Sequence, residues 1–351
     1  MSREALPVVH AVAPDSLRSW FGHFVDLGPD DRTVHLGEDP RVDPAPLLEA
    51  IGPVPRATVV FHSGHVTLGR DQLLAFRLRE LGHRAECQSR LCASLGSDKI
   101  LMKEFFDRYG LVSPPWARAG DPPPGDAPDA PVVVKDRHGT QSVGTRLARA
   151  GECRLAPNEL GELYVDGVEY SVLVYRDGHG TATFPPVWKG PTTPALVPPW
   201  RRLRLCPDPV LGGTWERKLR AVGKRLADLA EAHGYLEAEF LLTRTGEVHL
   251  LEINPRVSGT MRLAAMATRL PIFSLHARPE FRGHLRAVRF GGEVPYRGVP
   301  IADPDGAVFA TSRLTVAGES LGEVRTRLRE LGGPEALEGL DRSARTLLRA
   351  S

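Results

Sequence analysis

The chain's apolar positions fall into short runs of strand length and into stripes of helical period, which together predict a mixed succession of elements. Pro7–Ala13 and Ala57–His62 are apolar runs with the length of strands. An amphipathic stretch, Leu17–Val25, lies between them. A helix follows over Asp71–Leu81, with Leu73, Leu74, Leu78 and Leu81 on one side and Gly82 where helices end in the left-handed region. Alternation of strand and helix over residues 5–95 predicts a small parallel α/β unit. His62-Ser-Gly-His65 follows the second strand, where such folds usually bind ligands, so both histidines are candidates for contact with substrate.

Farther along, Ser97-Asp98 caps a helix over Lys99–Tyr109 that Gly110 closes. Gly120–Pro131 has no period and reads as a loop, Pro131–Lys135 as a short buried strand, and Tyr170–Tyr175 as another strand. Thr214–His233 predicts a helix whose Trp215, Leu219, Val222, Leu226 and Leu229 form one core face. Residues 176–213 are rich in proline and show little pattern; a loop of that length inside a compact domain is usually functional. A helix over Leu263–Leu270, a strand over Val308–Val316 and a helix over Ser320–Leu331 complete the reading.

The stretch richest in chemistry is Gly234–Arg262. Leu236–Thr243 and Glu247–Ile253 are apolar runs on either side of Thr245-Gly246, a β-hairpin pattern. A two-residue loop there sets Glu239 directly opposite Glu252, and Asn254, two residues on, returns to the same face. Like charges opposed on a sheet repel, so a cation is expected between them. Oxygen ligands without His or Cys suit Mg²⁺, above all Mg²⁺ that already carries phosphates.

Composition narrows the picture. At 351 residues the chain is long enough for two or three domains. A formal charge of +2 offers no electrostatic footprint for nucleic acid or an anionic membrane. No apolar run approaches the roughly 20 residues of a membrane span, and the N-terminus has no signal-peptide pattern. Cys87, Cys92, Cys153 and Cys206 have neither zinc-site spacing nor the density of a disulfide scaffold, which points to a reducing cytoplasm. Lysine is scarce: Lys99, Lys103, Lys135, Lys189, Lys218 and Lys224 are the only lysines among 45 basic residues. Where Arg is the default cation, a retained Lys carries extra weight as a compact point charge, and Lys99, Lys135 and Lys189 sit in motifs.

Those motifs come in a fixed order. Asp98-Lys99 opens a helix, and Lys135 ends a valine-rich strand. Gly139, Ser142 and Gly144 follow in a loop whose backbone N–H groups can approach an anion closely. Gly167-Val-Glu-Tyr-Ser-Val172 and Pro186-Val-Trp-Lys189-Gly come next, and Glu252-Ile-Asn-Pro-Arg256 lies thirteen residues beyond Glu239. Over about residues 97–265 this series resembles the ATP-grasp enzymes. The resemblance implies an α/β ATP-grasp fold, with residues 1–96 as a small N-terminal parallel α/β domain, 97–176 as the small lobe and 177–351 as the large lobe.

The resemblance also implies ATP as cofactor, with two Mg²⁺ ions, replaceable by Mn²⁺, on Glu239, Glu252 and Asn254. Lys99 and Lys135 would reach the nucleotide phosphates, and Gly139, Gln141 and Ser142 would close over them. Glu162 and the backbone of Leu163 and Val165 would border the adenine, while Glu169 would reach the ribose. Lys189, like the ω-loop lysine of D-alanine–D-alanine ligases, would contact the γ-phosphate; Arg256 would face the transferring phosphoryl group and then the oxyanion. Arg262 and Arg313 are candidate clamps for a substrate carboxylate, since Arg suits bidentate recognition.

The implied activity is ATP-dependent ligation of an amino-acid-like carboxylate to an amine through an acyl phosphate, with release of ADP and phosphate. D-alanine ligases carry an Arg two residues before the first metal ligand; here that residue is Glu237. The Asn-Pro-Arg and Gly-Val-Glu-Tyr-Ser-Val segments look more like the L-amino-acid and dipeptide ligases. A carboxylase, a purine-pathway ligase, and a nucleotide-binding regulator without turnover stay open as alternatives. The partners implied are small-molecule carboxylate and amine substrates, with homodimerisation left open.

Overall fold

A computed structural model of the chain describes residues 6–140, 142–198, 201–303 and 305–332; Gln141 lies outside them. The N-terminal part comprises β1 (Val8–Val12), β2 (Arg32–His35), α1 (Ala45–Ile51), β3 (Thr58–His62), α2 (Leu68–Glu80) and β4 (Arg84–Glu86). The strands form the expected parallel sheet, in the order β2-β1-β3-β4. Helix α2 begins three residues earlier than expected and buries Asp71, Leu74, Ala75 and Leu78, while Leu73 and Leu81 are exposed. The spacing 71, 74, 75, 78 is one helical stripe, and Leu73 lies about 100° off it. The Leu17–Val25 stretch is two 3₁₀ turns, Asp15–Leu17 and Phe21–His23, wedged by Trp20, Phe21 and Phe24 against Phe273 and Phe309.

Two helices follow back to back, α3 (Arg90–Ser97) and α4 (Lys99–Arg108). The Ser89 hydroxyl accepts from Cys92 N–H, and the Asp98 carboxylate accepts from Ile100 and Leu101 N–H, so each helix has its own cap. Strands β5 (Trp116–Arg118), β6 (Pro131–Asp136), β7 (Arg146–Arg149) and β8 (Glu159–Leu163) make an antiparallel sheet in the order β5-β8-β6-β7.

The third sheet has eleven strands. Its elements are β9 (Val168–Asp177), β10 (Gly180–Thr183), β11 (Val187–Pro191), β12 (Arg204–Cys206), α5 (Gly213–Leu229), β13 (Gly234–Leu242), β14 (Val248–Asn254) and α6 (Met261–Thr268). They continue with β15 (Gly283–His284), β16 (Phe290–Pro295), β17 (Ile301–Ala302), β18 (Val308–Ala310), β19 (Arg313–Gly318) and α7 (Leu321–Gly332). The order is β14-β13-β9-β11-β12-β16-β19-β18-β17, with β10 on β9 and β15 on β10.

Two expectations fail here. Residues 176–213 are not a long loop, because β10, β11 and β12 lie within them. Short strands rich in Gly and Pro carry little periodic signal, and β12 finds its second partner, β16, some ninety residues downstream. The run Val308–Val316 is not one strand but a tight hairpin of β18 and β19 turning at Thr311-Ser312. Among the described residues, no helix is long and apolar enough to cross a membrane.

Candidate active site

The hairpin β13–β14 does set Glu239 opposite Glu252, by a different route from the one expected. Its loop has three residues rather than two: Thr243 N–H donates to Glu247 O, Gly246 N–H donates to Thr243 O, and Gly246 takes φ +80°. A bulge between Glu239 and Phe240 then leaves Leu251 as the extra residue on β14. The two one-residue departures cancel. Glu237 pairs with Asn254, so four polar side chains share one face. Beyond the hairpin, the Pro255 turn seats on α3, where a Cβ at Gly96 would lie 2.2 Å from the Pro255 ring. Val257 N–H donates to Ser63 O at 3.0 Å, which ties the Arg256 loop to the N-terminal sheet.

Cations sit on the acids of this face. Lys189 Nζ lies 2.9 Å from Glu239 Oε1 and 3.3 Å from Glu237 Oε1, and Lys99 Nζ lies 3.4 Å from Glu252 Oε1. Asn254 Nδ2 donates to Glu239 Oε1 at 3.1 Å, while its Oδ1 accepts from Arg256 at 2.7 Å. Burial pushes the Glu239 carboxyl up against the pull of Lys189, and Glu237 and Glu252 add to the rise. Glu237 is also buried, but Lys189, the Thr260 hydroxyl at 2.6 Å and Arg204 outweigh burial and hold it below the usual carboxylate range. Burial opposes the Lys189 charge, yet the two carboxylates raise its pKa.

Among the described residues, no three His, Cys, Asp or Glu side chains are grouped to hold a metal. The expected set is instead two carboxylates and an amide. It fits Mg²⁺ in its chemistry: the donors are hard oxygens that share one face of the hairpin.

Lys99, Lys135, Glu162, Glu169, Gly139 and Ser142, with the Leu163–Val165 segment, line one cavity that reaches Glu239 and Glu252. A Cβ at Gly139 would lie 2.9 Å from that of Asp136, and Ser142 takes φ +60°, so this loop's tight course depends on both. Leu163 and Tyr164 already donate their N–H groups to Pro115 O and Pro131 O. Glu169 pairs with Arg202 at 2.9 Å.

Glu162 is buried between two lysines, 3.0 Å from Lys103 Nζ and 2.6 Å from Lys135 Nζ. Burial alone would push its carboxyl up; Lys103 and then Lys135 pull it down to about 2. Lys103, fully buried against Glu162, is a charged residue beside the cavity that motif reading missed. The scarcity of lysine was the available signal, but no motif spacing drew attention to position 103.

A larger cleft of about 1650 Å³ opens beside this cavity and shares Thr140, Ser142, Glu239 and Glu252 with it. Lys189, on β11 rather than on a loop, lines the cleft, as do Asn254, Arg256, Arg262 and Arg313. Arg262 and Arg313 are not free side chains but both bear on the buried carboxylate of Glu293. The two histidines after β3 part company. His65 lines the cleft, whereas His62 is in the core with its Nε2 3.1 Å from His10 Nδ1.

The first cavity thus opens over the paired acids Glu239 and Glu252 onto the second cleft. The fold is the ATP-grasp fold, shared with solved ligases and synthetases. The chain is 28% identical over 210 residues to D-alanine–D-alanine ligase of Geobacter sulfurreducens; the match covers 56% of this chain and 66% of that enzyme, just under two thirds of its length. An L-amino acid ligase from Bacillus licheniformis has the same fold, with a TM-score of 0.65 and 14% identity over 94% of this chain and 98% of that one. The ADP complex of an N5-carboxyaminoimidazole ribonucleotide synthetase gives a TM-score of 0.66 at 15% identity, covering 98% of this chain and all of that one. No sequence-family model matches the chain.

Proposed function

We propose that the protein uses ATP to activate a carboxylate as an acyl phosphate and joins it to an amine, releasing ADP and phosphate. The observation that carries this reading is the meeting of the two cavities at Glu239 and Glu252. ATP in the first would present its γ-phosphate to a carboxylate held in the second, beside Lys189 and Arg256. Phosphoryl transfer needs positioning and charge neutralisation more than covalent help. Lys99 and Lys135 bind the phosphates as compact point charges, and the buried Lys103–Glu162 pair holds Lys135 in place. Gly139 and Ser142 close over the phosphates. Mg²⁺ on Glu239, Glu252 and Asn254, two ions in our reading and replaceable by Mn²⁺, supplies neutralisation of the transferring group when bound.

The amine then attacks the acyl carbon, the carbon–oxygen bond to phosphate breaks, and Arg256 donates to the developing oxyanion. Glu237, paired with Lys189, occupies the place where a D-alanine-type site would need a guanidinium, which favours an L-amino-acid type of substrate. We keep the division into residues 1–96, 97–176 and 177–351, although β9 (Val168–Asp177) belongs to the eleven-stranded sheet and crosses the second boundary.

Hydroxylamine trapping tests the reading. With ATP, Mg²⁺, a panel of amino acids and hydroxylamine, the expected products are a hydroxamate and ADP. Release of AMP and pyrophosphate would overturn it, and turnover that needs bicarbonate would favour a carboxylase instead.

A further inference from the structure

Lys189 reaches its partners from two strands away. It is the extra residue of a bulge on β11, between Trp188 and Gly190, and β9 lies between β11 and β13 in the sheet. The small Ser171 of β9 pairs with Val187 on one side and with Glu239 on the other, which leaves room for the lysine stem to pass. The ammonium ends 2.9 Å from Glu239 Oε1 and 3.3 Å from Glu237 Oε1. The two carboxylates differ in their surroundings. The Glu237 side chain is 3% exposed, and the oxygen that faces Lys189 also accepts from the Thr260 hydroxyl at 2.6 Å. The Glu239 side chain is 17% exposed and stands opposite Glu252 on the hairpin.

Lys189 itself is 2% exposed, so its charge has little water to turn to and needs an anion beside it in every state of the site. A metal ion on Glu239 takes the lone pairs and the charge that Lys189 now uses. Among the described residues, Glu237 and Glu239 are the acids at ion-pair distance from Lys189, so the partner that stays behind is Glu237. One ammonium needs only one carboxylate to be neutral. Here two flank it, and the more open of them is the one that the metal claims. Lys99 offers the contrast. It bears on Glu252, but its side chain is 14% exposed and also donates to Gly139 O, so it can leave its carboxylate without a second anchor.

We propose that Glu237 is the positioning residue for Lys189, keeping the ammonium in place when Glu239 passes from the lysine to the metal. Lys189 is then the resident counterion of the empty site, and Glu237 holds it ready for the γ-phosphate once the site is filled. This rests on the ligase and Mg²⁺ reading above.

The readout is the metal's contribution to ADP binding, which needs no turnover: the ratio of the ADP dissociation constants in EDTA and in excess Mg²⁺, measured by titration calorimetry. In wild type Mg²⁺ should tighten ADP, and Glu239→Ala should remove most of that gain. Glu237→Gln leaves Lys189 without a carboxylate once the metal binds, and should cut the gain about tenfold, whereas Glu237→Asp should keep most of it. Adding Lys189→Met to Glu237→Gln removes the ammonium as well, and should return the gain to within about threefold of wild type. Thermal midpoints show which variants are folded. If Glu237→Gln keeps the wild-type gain, or if the double variant loses as much as Glu237→Gln alone, Glu237 does not act through Lys189 and the proposal is wrong while the metal reading stands. Should Glu237→Gln fail to fold, the double variant decides by itself: recovery of the gain supports the proposal, and a loss as large as that expected of Glu237→Gln overturns it. A gain absent from wild type, or unchanged in Glu239→Ala, removes the Mg²⁺ assignment and this proposal with it.

Discussion

Replacing Glu162 by Gln should destabilise the protein far more than removing the buried lysine beside it. Glu162 stands between Lys103 and Lys135, and its carboxyl lies at about 2 instead of 4.5. At about 1.36 kcal/mol per pH unit, that difference corresponds to about 3 kcal/mol of stability at neutral pH. Because the pKa is depressed on folding, this stability is fully present above pH 4.5 and is lost as pH falls from there through about 2. Gln keeps the shape, drops the charge and leaves two ammonium groups facing each other. Lys103 behaves in the opposite sense: burial pushes its pKa below the usual range although Glu162 pulls it up, so folding gains little from that charge.

Lys103→Met keeps the apolar stem and leaves Glu162 and Lys135 as a one-to-one pair. Glu162→Gln should therefore lower the free energy of unfolding by about 3 kcal/mol and Lys103→Met by less than about 1 kcal/mol, since the large cost comes from leaving a buried charge without a partner, and Glu162 keeps Lys135. Urea unfolding at pH 7.5 without nucleotide, followed by tryptophan fluorescence and circular dichroism, measures both. A cost for Lys103→Met equal to or above that of Glu162→Gln would refute the charge reasoning.

Two further predictions concern the metal face and the histidines. Glu252→Ala or Asn254→Ala should abolish ADP release at millimolar Mg²⁺ while leaving the thermal midpoint nearly unchanged; near-native turnover in either variant would remove these residues from the metal site. The buried His10 and His62 are held neutral, His10 near 4 through burial and His276, and His62 well below 6.5 through burial and His10. Their contribution is thus complete above pH 6.5 and declines as pH falls from there through about 4, so stability should drop by about 1 kcal/mol or more between pH 7.5 and 5.5. Unfolding curves at the two pH values should differ less for His10→Gln than for wild type, and an identical pH slope would count against the assignment.

What the sequence determined by itself is the chemistry that neighbouring residues carry. Glu239, Glu252 and Asn254 lie on one hairpin with Arg256 just beyond it, and a period of two residues per face brings the first three together whatever the rest of the chain does. The same holds for Lys135 with the Gly139 loop and for the cap at Asp98, where the relevant spacing is a few residues. Even there the register agreed only because a three-residue loop and a bulge offset one another, and neither is legible in a pattern of apolar positions. Helix α3, the three strands inside residues 176–213 and the break at Thr311 were hidden because short elements are stabilised by partners far along the chain rather than by their own period.

Tertiary structure alone decided which charges are buried together. Lys103 meets Glu162 from a helix and a strand 59 positions apart, Lys189 meets Glu237 across the large sheet, and Arg204, Arg262 and Arg313 converge on Glu293 from three separate elements. It also sent His62 into the core and left His65 at the cleft, although only two residues separate them. Backbone periodicity acts over a few residues, whereas the desolvation that turns a charge into an anchor or a binding site arises only when distant elements close over it.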